Sequence, residues 1–493
     1  MATDWALLRE LTEAPGVSGY EAPVREVLTR YLGALAARIG TDNLGSLIAE
    51  RPGAGAHPRV MLAAHMDEIG FMVSHVDDGG FVRFQPIGGW WSQVMLAQRV
   101  RVYTARGPVT GVIGAKPPHI LPADERSRPV DVRDMFIDVG ATSRQEAEAL
   151  GIRPGDPVVP ASPFEPLGPP GAFLAKAWDN RAGCVVLVEV LRRLAAVRHP
   201  NTVYAVATVQ EEVGLRGATT SVRAVAPDVA LVIDTTVATD TPGIDRSRLP
   251  ASCRLGGGPA ISLYDASMIP HLRLRDLVVD TARDHGIPIQ FDVMPGGGTD
   301  AGKIHTASTG VPTLSIGIPV RYIHSHGSIL RLADLEQAVR LIVAVIQRLD
   351  AATVAALKAM APARATAGAG AVAAGAPGAA GPTAWAAPVA DPPWTAAGAV
   401  PLAATAGSPA GVPAGGTTGS PAPWVTPPGV GTVPAVPTPG MSPAPGTAPG
   451  AGLAPAGVPG SDGAGAIDPR GATGGARVRG ADAGDRVGPA ARR

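Results

Sequence analysis

Val203-Tyr204-Ala205-Val206-Ala207-Thr208-Val209 carries no charge at any position and is followed at once by Gln210-Glu211-Glu212-Val213-Gly214. An uninterrupted run of this kind, without alternation between polar and apolar positions, is the pattern of a strand covered on both faces of its sheet. Helices must then lie above and below that sheet, which restricts the chain to a layered α/β architecture and delivers Glu211 and Glu212 to the edge of its core. An adjacent glutamate pair is usually a solvated loop opening. It gains a chemical meaning only where other strands end in the same way.

They do. Arg59 to Ala64 reads as a strand running into His65-Met66-Asp67-Glu68, and Val229 to Ile233 as one running into Asp234. Two helices, Asp4 to Glu13 and Glu21 to Ala37, precede them, with Ser18 and Glu21 spaced as a capping box for the second. Gly40 to Ala49 reads as a strand pair turning near Asn43-Leu44-Gly45. From Ile69 to about Pro170 the texture changes to short alternating strands punctuated by Asp77-Asp78-Gly79-Gly80, Arg106-Gly107-Pro108 and Pro154-Gly155-Asp156. One short helix there is capped by Ser143 and Glu146 and stopped by Gly151, and the Gly88-Gly89-Trp90-Trp91 cluster reads as core or as an exposed contact patch, with core expected because aromatics are scarce and a small β domain needs bulk. After Phe173 the α/β alternation resumes. A helix follows Lys176-Ala177-Trp178-Asp179-Asn180-Arg181, and further helices are expected at Gly217 to Ala224, Pro270 to His285, Thr299 to Ser308 and Leu332 to Leu349, the last extending toward Met360. Strands near Ala260 to Leu263, Ile289 to Val293 and Thr313 to Ile316 complete a mixed sheet sandwiched by helices.

The expected organisation is therefore a discontinuous α/β domain over 1–68 and 171–360, an inserted β-rich domain over 69–170 and a disordered tail over 361–493. The tail follows from composition: much of the chain's 62 Gly and 50 Pro lies after Met360, and such a segment buries too little apolar surface to offset the entropy of ordering. Its partner, if it has one, is not named by the sequence. A formal net charge of +0 gives no sign of nucleic acid or an anionic membrane as a partner. Cys184 and Cys253 stand far apart with no CxxC spacing, so a metal would be held by histidine and carboxylate, and a cytoplasmic, reducing compartment is expected.

Open α/β sheets bind ligands beyond the carboxyl ends of their strands. His65, Glu211, Glu212 and Asp234 stand at such ends, and Asp179 and His324 lie in loops able to converge there. His65, Asp179, Glu212, Asp234 and His324 form an imidazole and carboxylate set suited to zinc, cobalt or manganese. Five ligands suggest two ions, with one carboxylate shared and one histidine and one acid left for each. His57, His199 and His285 are read as structural or surface residues.

The motifs His65-Met66-Asp67-Glu68-Ile69-Gly70, Trp178-Asp179-Asn180-Arg181, Glu211-Glu212-Val213-Gly214, Gly297-Gly298-Thr299-Asp300-Ala301 and Arg321-Tyr322-Ile323-His324-Ser325-His326 together resemble the M42 family of dinuclear metallo-aminopeptidases, over Leu7 to about Leu349. The resemblance implies that Asp179 bridges two divalent ions, with His65 and Asp234 on one and Glu212 and His324 on the other. It makes Glu211 the general base and Asp67 the carboxylate that orients His65. It also implies a β-barrel-like insert and assembly into dimers and hollow dodecamers acting on peptides, with acidic, basic or apolar preferences at the N-terminal residue. The chemistry is coherent, since Glu211 beside a ligand can take a proton from water and pass it to a leaving amine. Paired carboxylates also serve glycoside hydrolysis, and an endoglucanase-like activity is the competing reading; such an enzyme has no use for a histidine and carboxylate cage.

Overall fold

A computed structural model describes residues 4–249 and 251–359, so the expectations for the tail over 361–493 and for helix out to Met360 fall outside the described residues. Helix α1 (Trp5–Glu13) starts at Asp4, whose carboxylate accepts the Ala6 and Leu7 amides. Helix α2 (Ala22–Gly33) has no side-chain cap, and the expected Ser18 and Glu21 capping box does not form. Ser18 donates its hydroxyl to the Asp67 carboxylate at 2.6 Å, while Glu21 accepts the amides of Gly19 at 2.8 Å and Gln210 at 3.0 Å. Asp67 is fully buried, and a desolvated carboxylate competes for a hydroxyl better than a helix end within reach of water.

Three strands follow: β1 (Arg38–Thr41), β2 (Leu47–Arg51) and β3 (Arg59–His65). The chain then builds β4 (Gly70–Val76), β5 (Val82–Ile87), β6 (Arg99–Thr104), β7 (Gly107–Gly114), β8 (Phe136–Asp138) and β9 (Pro157–Pro160), which close into a barrel in the order β4-β5-β8-β7-β6-β9. The short helix α3 (Arg144–Ala149), capped by Ser143, sits where expected. Trp90 stacks on Phe71 at 4.6 Å between ring centroids and donates its indole N–H to Gly70 O at 2.9 Å. Trp91, expected as core, is 61% exposed. One indole fills the space at the barrel mouth, and the next residue points away from it.

The remaining elements are β10 (Glu165–Pro166), β11 (Ala172–Ala175), α4 (Trp178–Leu194), β12 (Thr202–Thr208), α5 (Arg216–Val225), β13 (Val229–Val237), β14 (Ala260–Asp265), α6 (Leu272–Asp284), β15 (Gln290–Met294), α7 (Ala301–Ile304), β16 (Thr313–Arg321), β17 (Ser328–Arg331), α8 (Leu332–Arg348) and α9 (Ala351–Lys358). The expected helix from Thr299 to Ser308 is thus a single turn. The last helix breaks at Leu349, where Asp350 caps a new one by accepting the Thr353 amide at 2.7 Å.

The sheet runs β1-β2-β12-β3-β13-β16-β17-β11-β10, with β14 and β15 branching from β16. Its centre is parallel: β12 with β3, β3 with β13, and β13 with β16. Both faces are covered, as the uncharged run requires. Val60, Leu62 and Ala64 of β3 join the cluster that includes α1, α2, α4 and α8, whereas Met61 and Ala63 face α5 and α7. No helix among the described residues is long and apolar enough to cross a membrane.

Candidate metal centre

Parallel pairing aligns the donors. His65 ends β3 and lies opposite Thr208, the last residue of β12, so the loop bearing Glu211 and Glu212 begins beside the imidazole. Glu211 follows that strand by three residues. Asp234 sits inside β13, opposite Gly317, because β13 and β16 continue pairing to Val237 and Val320. Asp179 belongs to the first turn of α4, where it and Asn180 leave helical geometry at φ −80°, ψ 106° and φ −121°, ψ 45°. Asn180, fully buried, pins this distortion by donating to Ile233 O at 2.8 Å and accepting the Gly183 amide at 2.9 Å. That contact ties the turn bearing Asp179 to the residue before Asp234.

The side chains converge. His65 Nε2 lies 3.2 Å from Asp179 Oδ1, 3.6 Å from Asp234 Oδ1 and 3.8 Å from Glu211 Oε2. His324 Nε2 lies 3.3 Å from both Asp179 Oδ2 and Glu212 Oε2. The two oxygens of Asp179 therefore face one histidine each. Donor atoms of His65, Asp179 and Asp234 fall within 4.8 Å of one another, as do those of Asp179, Glu212 and His324, and those of His65, Glu211 and Glu212. All seven residues picked from the sequence, Asp67 included, are brought into this one region.

Each imidazole is fixed from behind. His65 Nδ1 lies 3.0 Å from the Asp67 carbonyl and 3.4 Å from its carboxylate. The Asp67 carboxylate has a second task, accepting the Glu211 amide at 3.0 Å and the Glu212 amide at 3.1 Å, which locks the glutamate loop to the end of β3. His324 Nδ1 lies 2.8 Å from the carbonyl of Gly89, a residue of the loop after β5. That contact was not foreseen, because a backbone acceptor leaves no side-chain signature. Gly89 has little freedom here: a Cβ added to it would meet His324 Nδ1 at 3.0 Å.

Burial and crowding of like charge govern the electrostatics. Burial pushes the Glu211 carboxyl well above its ordinary range, and Asp234, Asp300 and Glu212 add to the rise against the opposing pull of His65. Glu212 and Asp234 are also raised, first by burial. Burial alone would depress both imidazoles, but the carboxylates around them reverse it, raising His65 well above its usual value and His324 to about 11. Neither lysine nor arginine among the described residues forms an ion pair with Asp179, Glu211, Glu212 or Asp234, whose partners are the two histidines. Glu212 Oε1 is buried without a hydrogen-bond partner. A buried, unpaired carboxylate oxygen in a cluster with excess negative charge is the arrangement that a divalent cation satisfies.

Asp300, to which the sequence reading gave no role, lies beneath the cluster. Its carboxylate accepts the Thr208 hydroxyl, and burial, aided by Asp234 and Asp67, pushes it up to about 7. Behind the site, Glu68 accepts from Lys176 at 2.7 and 2.9 Å, from Arg181 at 3.2 Å and from the Gly16 amide at 3.1 Å. His57 and His285 are exposed and His199 is buried, hydrogen-bonded to Asn201; none of the three approaches the cluster.

Residues 45–341 match the family model described as M42 glutamyl aminopeptidase. Among curated relatives, the chain is 41% identical over 338 residues to the putative aminopeptidase FrvX of Escherichia coli K12, covering 68% of this chain and 93% of that one. It is 47% identical to a TET aminopeptidase of the marine sediment archaeon Thaumarchaeota archaeon SCGC AB-539-E09, with a TM-score of 0.70 over 71% of this chain and 98% of the other. It is also 35% identical to the TET1 peptidase of Pyrococcus horikoshii, with a TM-score of 0.62 over 70% of this chain and 99% of the other; that protein can assemble into a tetrahedron or a large octahedral shell.

Proposed function

The chain belongs to the M42 peptidase family, which makes it a peptide hydrolase of the aminopeptidase kind, and from that premise we propose that it removes the N-terminal residue of peptides with the help of two divalent cations, zinc, cobalt or manganese, and with Glu211 as general base. His65 and Asp234 would hold one cation, Glu212 and His324 the other, and Asp179 both. The observation that carries this reading is the orientation of Asp179, which turns one oxygen to each histidine. Cations held by these residues would supply acidity to the attacking water and polarisation to the scissile carbonyl.

The chain's own residues do the rest. Glu211 is held against the ligand cluster by the hydrogen bond that its backbone N–H donates to the Asp67 carboxylate, and its carboxylate is the group that would take a proton from water and return it to the leaving amine. Asp67 acts twice, orienting His65 and keeping the base in register with Glu212.

We assign 1–68 and 171–360 to the peptidase unit and 69–170 to a unit through which copies associate as a homo-oligomer, from dimer to dodecamer. The shells into which the Pyrococcus relative can assemble support the homo-oligomer. Free, buried Cys184 and Cys253 agree with a cytoplasmic location.

The test is elemental analysis of purified active protein, then chelation and reconstitution. About two divalent ions per chain are expected, with peptidase activity lost on chelation and restored by metal. A glycosidase working through paired carboxylates would keep its activity through chelation. Active protein free of transition metal would refute the assignment.

A further inference from the structure

The cleft above the ligand cluster encloses about 610 Å³, and every charged side chain that lines it is already committed. His65, Asp179, Glu211, Glu212, Asp234 and His324 are the proposed ligands and base. The rest of the lining is uncharged: Leu215, Val237, Met294 and Ile323, two threonines and the backbone of glycines, chiefly Gly296 to Gly298. The arginines next along the chain are engaged elsewhere. Arg321 forks onto Asp240 with two contacts of 2.8 Å, and Arg216 donates to Gln210 at 3.1 Å.

This inventory decides what side chain a bound N-terminal residue can carry. A glutamate side chain entering the cleft beside the metal ligands would give up water without finding a lysine or arginine in the lining. A lysine side chain would have to compete for carboxylates that the cations claim. Either loss amounts to leaving a charge desolvated and unpaired, which costs far more than the mismatch of a methylene group. An aliphatic or thioether side chain meets like surface, and Met294, unbranched and polarizable, adapts to differences in its shape.

We propose that this chain selects peptides whose N-terminal residue is uncharged and apolar, of the leucine and methionine class, with Leu215, Val237, Met294 and Ile323 as the specificity-determining wall. The inference rests on the aminopeptidase reading and goes against the glutamyl preference that the matched family description carries.

The test is kcat/KM for the metal-loaded full-length protein on aminoacyl p-nitroanilides of leucine, methionine, glutamate and lysine. Leucine and methionine are expected to exceed glutamate and lysine by at least ~100-fold. Equal or faster turnover of the glutamyl or lysyl substrate overturns the specificity while leaving an aminopeptidase. No turnover of any of the four overturns the aminopeptidase reading and this inference with it. Val237 is 42% exposed and tolerates a polar replacement, so V237E provides a second measurement, with M294E beside it. Each should raise the lysyl-to-leucyl ratio at least ~10-fold at unchanged metal content. A ratio that stays fixed in both places the side chain somewhere other than this wall and overturns the assignment.

Discussion

Seven consecutive residues of β12 are buried, whereas along β6 buried Val100 and Val102 alternate with exposed Arg99 and Arg101. The peptidase body and the barrel thus use apolar residues in different ways. A strand covered on both faces offers the outside only its ends, so the chemistry of the body gathers where β3, β12 and β13 run out. A barrel strand keeps one face wet along its length. The barrel contributes no ligand side chain to the cluster, and what it does contribute comes from a loop: the carbonyl of Gly89 at His324.

The sharpest way to break this division is to remove the base proposed for the body. Glu211→Gln keeps the shape of the side chain, and turnover should fall by about 10²–10⁴-fold with metal content intact, as measured by steady-state kinetics beside elemental analysis. A variant that loses metal and keeps its residual rate would make Glu211 a ligand. Next in size is the buried pair behind the site, where Lys176 and Glu68 are 4% and 2% exposed. Lys176→Met leaves the Glu68 charge to Arg181 and one amide, and should cost about 3–5 kcal/mol in denaturant unfolding. A loss under about 1 kcal/mol would mean that Arg181 suffices.

A smaller effect tests the barrel's share. Gly89→Ala places a methyl group against His324 and should weaken one of the two proposed cations by about 10-fold in competition with a chelator, sparing the one assigned to His65 and Asp234. Equal weakening of both would show that the loop acts on the whole body. The smallest effect lies at the far end of the sheet. There the Asp228 carboxylate takes the Arg59 amide at 2.8 Å, His57 at 3.1 Å and Lys358 at 2.6 Å. Burial opposes its ionisation, but these partners hold its pKa down to about 2. A carboxylate depressed in the folded state lends stability above its unfolded value near 4, and that stability is lost as pH falls toward 2. Asp228→Asn should therefore cost about 1 kcal/mol at pH 7, with the gap from the parent chain narrowing by pH 3.

The body was the more legible region for a physical reason. A strand with two dry faces cannot carry charge, so the run from Val203 to Val209 announces itself, and imidazole or carboxylate at its margin stands out against it. The donors were readable because their chemistry is carried by side chains. Ser18 was misread as a cap because a local spacing cannot reveal a buried carboxylate 49 positions away. Asp234 was placed at a strand end because Thr235, Thr236 and Val237 owe their strand conformation to pairing with β16, which no local pattern records. Trp91 was assigned to the core for bulk alone, and Trp90 filled the available space.

The bond between Gly89 and His324 also bears on how a barrel deletion should be interpreted. A chain lacking 69–170 would lose the surface proposed for association and, in the same cut, the acceptor that fixes which nitrogen of His324 carries hydrogen. Inactivity of such a fragment would not by itself show that assembly is required for turnover. Point changes on the outer faces of β6 and β7, which leave the loop after β5 in place, separate quaternary structure from tautomer control.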